Sequence, residues 1–144
     1  MPISPDTQRA FLDTEYRVRL SRGGWAVIRI GEPLPRELHA GMKDEGMPWG
    51  FITAWNPLAK EVPRARNRER QRQLLAALRE RGARVRAGVG IGHAVDAGQQ
   101  RWREPSLFVL GLDFDALDAL GRRFEQFALV RGIGHGIAEL RVLV

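Results

Sequence analysis

The chain contains no cysteine. That absence excludes disulfides, thiolate-ligated metals and a cysteine nucleophile, and it agrees with a cytoplasmic protein. Long apolar runs are also missing. None approaches the roughly 18 residues that a membrane helix needs, so no membrane partner is expected. The opening residues, Met1-Pro2-Ile3-Ser4-Pro5-Asp6, lack the basic segment and apolar stretch of a secretory signal. The three histidines, His39, His93 and His135, are scattered without a close pair or an accompanying acidic cluster, so no metal site is expected. Familiar catalytic and cofactor signatures are absent too. There is no Gly-x-Ser-x-Gly elbow. Gly88-Val89-Gly90-Ile91-Gly92 lacks the Lys-Ser/Thr that completes a phosphate loop and does not open a helix. No cofactor is implied, and no motif assigns an enzymatic reaction.

Lysine is nearly absent: the basic residues are 21 Arg and 2 Lys, with a formal net charge of +6. Beside abundant Ala and Gly, this bias is the mark of a GC-rich bacterial genome. The location of the charge is more informative than its total. Residues 60–86 hold ten basic residues against three acidic ones, +7, so the rest of the chain is close to neutral.

A length of 144 residues fits a single domain, 1–144, and a hydrophobic fraction of 44% suffices for one core. Residues 6–15 suit a short helix capped by Asp6 or Thr7. Tyr16–Leu20 and Trp25–Ile30 read as a hairpin joined by Ser21-Arg22-Gly23-Gly24. A short helix covers Arg36 to Lys43. Trp49–Trp55 reads as a buried strand that Pro57 stops, with Trp55 anchored in the core. Asn67 caps a helix that runs to about Arg81 and buries Leu74 and Leu78. Val85–Ile91 is a glycine-interrupted strand, 92–104 a polar loop, and Ser106–Leu112 an apolar strand. Asp113 caps the next helix, with Arg122 and Arg123 in its last turn. This position explains Asp113, Asp115 and Asp118 better than a carboxylate cluster does. Strands at Phe127–Arg131 and Leu140–Val144 complete the chain.

The order from Trp49 onward is strand, helix, strand, strand, helix, strand. It predicts an α+β fold: a ferredoxin-like βαββαβ core over about 49–131, with a mainly antiparallel sheet in the order 4-1-3-2. The N-terminal hairpin and the C-terminal strand are additions to it. Such a topology gathers one end of the sheet into a polar rim of Asn56, Asn67, Arg68, Trp102, Glu104, Ser106, Arg123 and Gln126, with His93 in the loop above, and Arg70 joins it as a candidate ligand-binding residue. The plainer reading of Asn56 is a turn cap before Pro57. Glu104 reads first as an ion pair with Arg123 and second as a general base with a raised pKa.

Phe51-Ile52-Thr53-Ala54-Trp55-Asn56-Pro57 is followed by Asn67, Arg70 and the Leu74/Leu78 helix. Trp102, Glu104 and Ser106 come next, and then Gly121-Arg122-Arg123-Phe124-Glu125-Gln126. In this order and spacing they resemble a bacterial family catalogued as domain of unknown function 3293, over roughly Tyr16 to Gly132. The resemblance implies no activity. It implies that the residues gathered at the rim are the ones that recur in the family. Members usually carry a small or polar residue after the Gln, whereas this chain has Phe127.

Three functions follow as expectations. The rim would bind an anionic or nucleotide-like small molecule, since amide and guanidinium groups suit such ligands. Alternatively, Arg64, Arg66, Arg68 and Arg72 on the basic helix within 64–86 would contact nucleic acid. In a third reading the chain is a protein-interaction module, a monomer or weak homodimer that associates through the edge of the hairpin or of the last strand.

Overall fold

The computed structural model describes residues 3–42, 44–92 and 102–144; His93 and its neighbours in the expected 92–104 loop fall outside the described residues. Helix α1 spans Pro5–Leu12 and begins earlier than expected. Ser4 is its cap, accepting from the Thr7 amide at 3.2 Å, because Pro5 is preset for the first helical position and has no N–H to satisfy. Strands β1 (Glu15–Arg19) and β2 (Trp25–Ile28) form the hairpin, pairing Tyr16 with Ile28 and Val18 with Ala26. Gly23 and Gly24, at φ 93° and 82°, make the turn that residues with a Cβ resist. Arg36–Gly41 is a 3-10 helix, tighter than the short helix expected there.

Strand β3 (Pro48–Ile52) is shorter than expected. It ends because the Ala54 amide leaves the sheet ladder and donates to Gln71 Oε1 at 2.9 Å. Helix α2 (Arg64–Glu80) starts three residues before Asn67. Asn67 is therefore no cap: it lies in the first turn, almost wholly buried. Strands β4 (Arg84–Gly92) and β5 (Trp102–Leu110) are long partners, so Trp102, Arg103 and Glu104 are strand residues rather than loop. Helix α3 (Phe114–Arg123) is capped by Asp113, whose carboxylate accepts from the Ala116 amide at 2.8 Å. Strands β6 (Ala128–Ile133) and β7 (Glu139–Val142) close the order.

The seven strands form one antiparallel sheet in the order β2-β1-β4-β5-β3-β6-β7. Helices α2 and α3 cover one face. Leu74, Leu78, Leu117 and Leu120 there meet Ile52, Leu107, Val109 and Leu129 in one core. The other face is concave. The Gly31 amide donates to Ala138 O at 2.8 Å and the Ala138 amide donates to Glu32 O at 2.9 Å. Chain following one outermost strand thus meets chain preceding the other, which curls the sheet toward closure and occupies part of its edges. A second core fills the hollow, built on Val18, Ile28, Trp49, Phe51, Phe108 and Val130, with Leu34 and Leu38 closing it below. No helix among the described residues is long and apolar enough to cross a membrane.

Candidate functional site

The hollow of the sheet is not filled throughout. Where α1 lies across it, a cavity of about 450 Å³ remains, within the size range of small-molecule sites. The vacancy has a local cause in β4. Successive residues of a strand point to opposite faces. On the concave face the C-terminal half of β4 presents Gly88, Gly90 and Gly92, so that stretch has no side chains there, whereas Arg84 and Arg86 occupy the same face earlier in the strand. A Cβ at Gly88 would lie 2.8 Å from the Phe51 ring and 2.9 Å from Arg17 O, and one at Gly92 would overlap the Trp102 indole. At Gly90, which lines the cavity, the nearest atom would be Trp102 Cζ3 at an ordinary 3.6 Å. The glycines admit the neighbouring aromatic rings at two positions and leave open space at the third.

The walls are largely aromatic: Phe11, Tyr16, Phe51, Trp102 and Phe127. Tyr16 and Phe51 pack edge to face, with ring centroids 5.3 Å apart. Most polar groups between them have their donors committed to backbone. Tyr16 Oη donates to Phe11 O at 2.6 Å, Thr53 Oγ1 to Pro105 O at 2.7 Å, and Ser106 Oγ to Glu104 O at 3.0 Å. Gln126 Nε2 donates to Trp55 O and Phe124 O, each at 3.2 Å. Among the described residues, no donor reaches Gln126 Oε1 or the Glu104 carboxylate. The cavity therefore offers acceptors. Asn56 Nδ2 is a donor with no acceptor among the described residues.

Glu104 is the chemical centre of this arrangement. It faces the cavity beside Phe51 and Tyr16, and burial raises its pKa from 4.5 to about 7. A carboxyl titrating there gives and takes a proton at neutral pH, as a general acid or base must. Burial also lifts the Tyr16 phenol well above its ordinary range, with the nearby Glu104 charge adding to the effect. Tyr16 is accordingly a fixed hydroxyl. The expected ion pair between Glu104 and Arg123 does not form. Arg123 is exposed and lies over the Phe124 ring at 5.1 Å, at the far end of α3.

Of the expected rim, Asn56, Trp102, Glu104, Ser106 and Gln126 share the cavity, and Asn67, Arg70 and Arg123 do not line it. Asn67 and Arg70 support it from behind. Asn67 Oδ1 accepts from the Asn56 amide and Asn67 Nδ2 donates to Asn56 Oδ1, both at 2.8 Å. Asn56 Oδ1 also accepts from the Val62 amide at 3.4 Å. Asn56 thus makes no capping bond to the turn at Pro57, contrary to its plainer reading. Arg70 donates to Ala54 O at 3.0 Å and to Phe124 O at 2.6 Å, and pairs with Glu125 at 3.6 Å. Trp55 is not a core anchor. It is half-buried and faces a separate groove on the helix side, together with Arg64, Arg68 and Arg72. Arg66 is exposed and outside that groove.

Sequence reasoning missed Thr7 and Phe11 of α1, Tyr16 of β1, and Phe127. The period-two glycines at 88, 90 and 92 were the available signal, since they mark a strand face kept bare. The histidines also need correction. His39 and His135 stack with ring centroids 3.6 Å apart, and His39 Nε2 lies 2.9 Å from Leu34 O, so two of the three form a close pair. No group of three or more metal-ligating residues occurs among the described residues.

Fold and site together define a mixed helix and antiparallel-sheet protein with a cavity in the hollow of its sheet. The chain belongs to the family described as "Protein of unknown function (DUF3293)", whose model matches residues 52–129. That match includes Asn56, Asn67, Arg70, Glu104 and Gln126, and it leaves out the α1 and β1 residues of the cavity. No curated protein matches the chain. Among solved structures it is similar to one described as a phage SAM lyase in complex with S-methyl-5'-thioadenosine, with 12% identity and a TM-score of 0.36. The likeness covers 69% of this chain and 92% of the other.

Proposed function

We propose that the cavity binds a small, flat, amino-bearing molecule of nucleobase-like shape. The observation that carries this reading is the Glu104 carboxylate, which has no protein partner among the described residues and sits in an aromatic-walled cavity. A half-buried carboxylate without a protein partner favours a ligand that supplies a donor or a positive charge. Gln126 Oε1 offers a second acceptor and Asn56 Nδ2 a donor, which together suit the mixed edge of an aminated heterocycle. Trp102 and Phe51 suit its faces. The anionic ligand expected from the sequence is less favoured, because Arg70 and Arg123 lie outside the cavity and the arginine that lines it, Arg103, is exposed.

The supporting framework is, in our reading, a ferredoxin-like core of β3-α2-β4-β5-α3-β6 carrying the β1-β2 hairpin and β7 as additions. The order β4-β5-β3-β6, with both helices on one face, supports it.

The test is calorimetric titration with adenosine, inosine and AMP. Adenosine should bind more tightly than inosine, which lacks the exocyclic amine, and the phosphate of AMP should bring no gain. Tighter binding of AMP than of adenosine would restore the anionic reading, and silence from all three would remove the nucleobase-like one.

A further inference from the structure

The second groove has a composition of its own. Arg64, Arg68 and Arg72 recur every four residues along α2, so they share one face, with successive rises of about 6 Å. All three are exposed. Across from them the floor is apolar, formed by Trp55, Pro105 and Leu107. Two bonds fix this geometry. Gln71 holds the Ala54 amide at 2.9 Å, and Arg70 is pinned inward on Ala54 O at 3.0 Å, so the helix cannot roll without breaking the end of β3. Arg66 stands about 200° around the helix from Arg64 and projects elsewhere. Arginine on a helix is ordinary, but a row of three beside a half-buried Trp over an apolar floor is a built surface.

We propose that this groove binds single-stranded nucleic acid, with phosphates on Arg64 and Arg68 and a base against Trp55. The row of guanidinium groups matches a chain carrying regularly spaced negative charge. The Trp55 floor matches exposed base faces, which a duplex hides and an acidic peptide lacks. The groove is distinct from the cavity at Glu104. Thr53 and Asn56 line the cavity and Trp55 lines the groove, so one short segment forms the wall between them.

The test is fluorescence anisotropy of a labelled oligothymidylate with the full chain, at about 50 and about 200 mM salt. The double variant Arg64→Glu/Arg68→Glu should weaken binding about tenfold or more and lower the salt slope by about two. Arg66→Glu changes the charge of the same helix outside the groove and should weaken binding far less. Trp55→Leu should weaken binding roughly fivefold or more without altering the salt slope. If it proves misfolded by circular dichroism, the arginine comparison decides alone. No binding at low salt overturns the proposal, as does an Arg66→Glu loss equal to that of the double variant. Equal competition by polyglutamate overturns it in favour of an acidic peptide.

Discussion

The carboxamides of Asn56 and Asn67 clasp each other, the side chain of Asn67 holding both the backbone amide and the side-chain oxygen of Asn56 at 2.8 Å. Asn67 is 2% exposed, and Asn56 stands at φ 46°, a left-handed conformation that Asn tolerates better than most residues. The clasp thus ties the end of β3 to the first turn of α2 and sets one wall of the cavity. Asn67→Ala should cost about 2 kcal/mol, because it leaves the Asn56 amide without its partner and takes from Asn56 Oδ1 the shorter of its two bonds. Asn56→Ala should cost at least as much, since alanine also resists the positive φ. The double variant should cost clearly less than the sum of the two, as partners in one contact do not act independently. Urea denaturation of the three variants measures all of this, and simple additivity would show that the clasp is not the stabilising contact.

Glu104 should make stability depend on pH in a direction opposite to that of most carboxylates. Its pKa is raised in the folded chain, from 4.5 to about 7, by burial. Between these values the folded chain binds more protons than the unfolded one, so stability falls as pH rises through that window. Below about 4.5 the carboxyl is neutral in both states, and above about 7 the full cost is present. The shift corresponds to about 3 kcal/mol. Glu104→Gln should therefore flatten this part of the profile and be the more stable protein at pH ~8 by an amount of that order. Thermal or urea unfolding followed from pH ~4 to pH ~8 tests it, and parallel profiles for the two proteins would contradict it.

The three bare positions of β4 should respond differently to a methyl group. Gly90→Ala meets nothing closer than 3.6 Å, so stability should hold or rise slightly, since Gly is a poor strand residue. The same change removes space from the cavity and should weaken any ligand there. Gly88→Ala sets a methyl against the Phe51 ring and the Arg17 carbonyl, and Gly92→Ala sets one into the Trp102 indole. Overpacking of this kind costs about 1–3 kcal/mol. Thermal melts of the three variants give the comparison. Equal destabilisation at all three sites would mean that the loss of glycine itself, rather than the neighbouring side chains, sets the cost.

Element order was legible in the sequence because hydrophobic period and turn residues act locally. The hairpin, the Asp113-capped helix and the strands from Trp49 onward follow from such signals. Their ends were less legible, because tertiary bonds decide them. β3 stops where Gln71 takes the Ala54 amide, and Trp102, Arg103 and Glu104 belong to β5 rather than to a loop because they pair with Gly92, Ile91 and Gly90 of β4. Asn56, Glu104 and Gln126 could be brought together from strand order alone. Tyr16 and Phe11 could not, because the position of the hairpin beside β4 and of α1 across the hollow depends on how the sheet curls. Two arginines were expected in the site, Arg123 by its place at a helix end and Arg70 by its place in the recurring pattern of residues. Side-chain direction, which that reasoning does not contain, sent one to the backbone and the other to the surface.

Arg70 is the arginine that turned inward, and its replacement separates charge from geometry. Its planar head spans Ala54 O and Phe124 O, joining the segment after β3 to the end of α3, and still pairs with Glu125. A lysine ammonium is a point donor and cannot reproduce that fork. Arg70→Lys should thus destabilise the chain by about 1–3 kcal/mol despite the retained charge, since at least one carbonyl loses a charged donor. Arg72 is exposed and among the described residues pairs only with Glu69 at 3.5 Å, a surface contact of small value, so Arg72→Lys should change stability by less than about 0.5 kcal/mol. Both variants keep the net charge, so a difference between them in chemical denaturation reads out the fork alone. Matching stabilities would show that the inward arginine serves only as a charge.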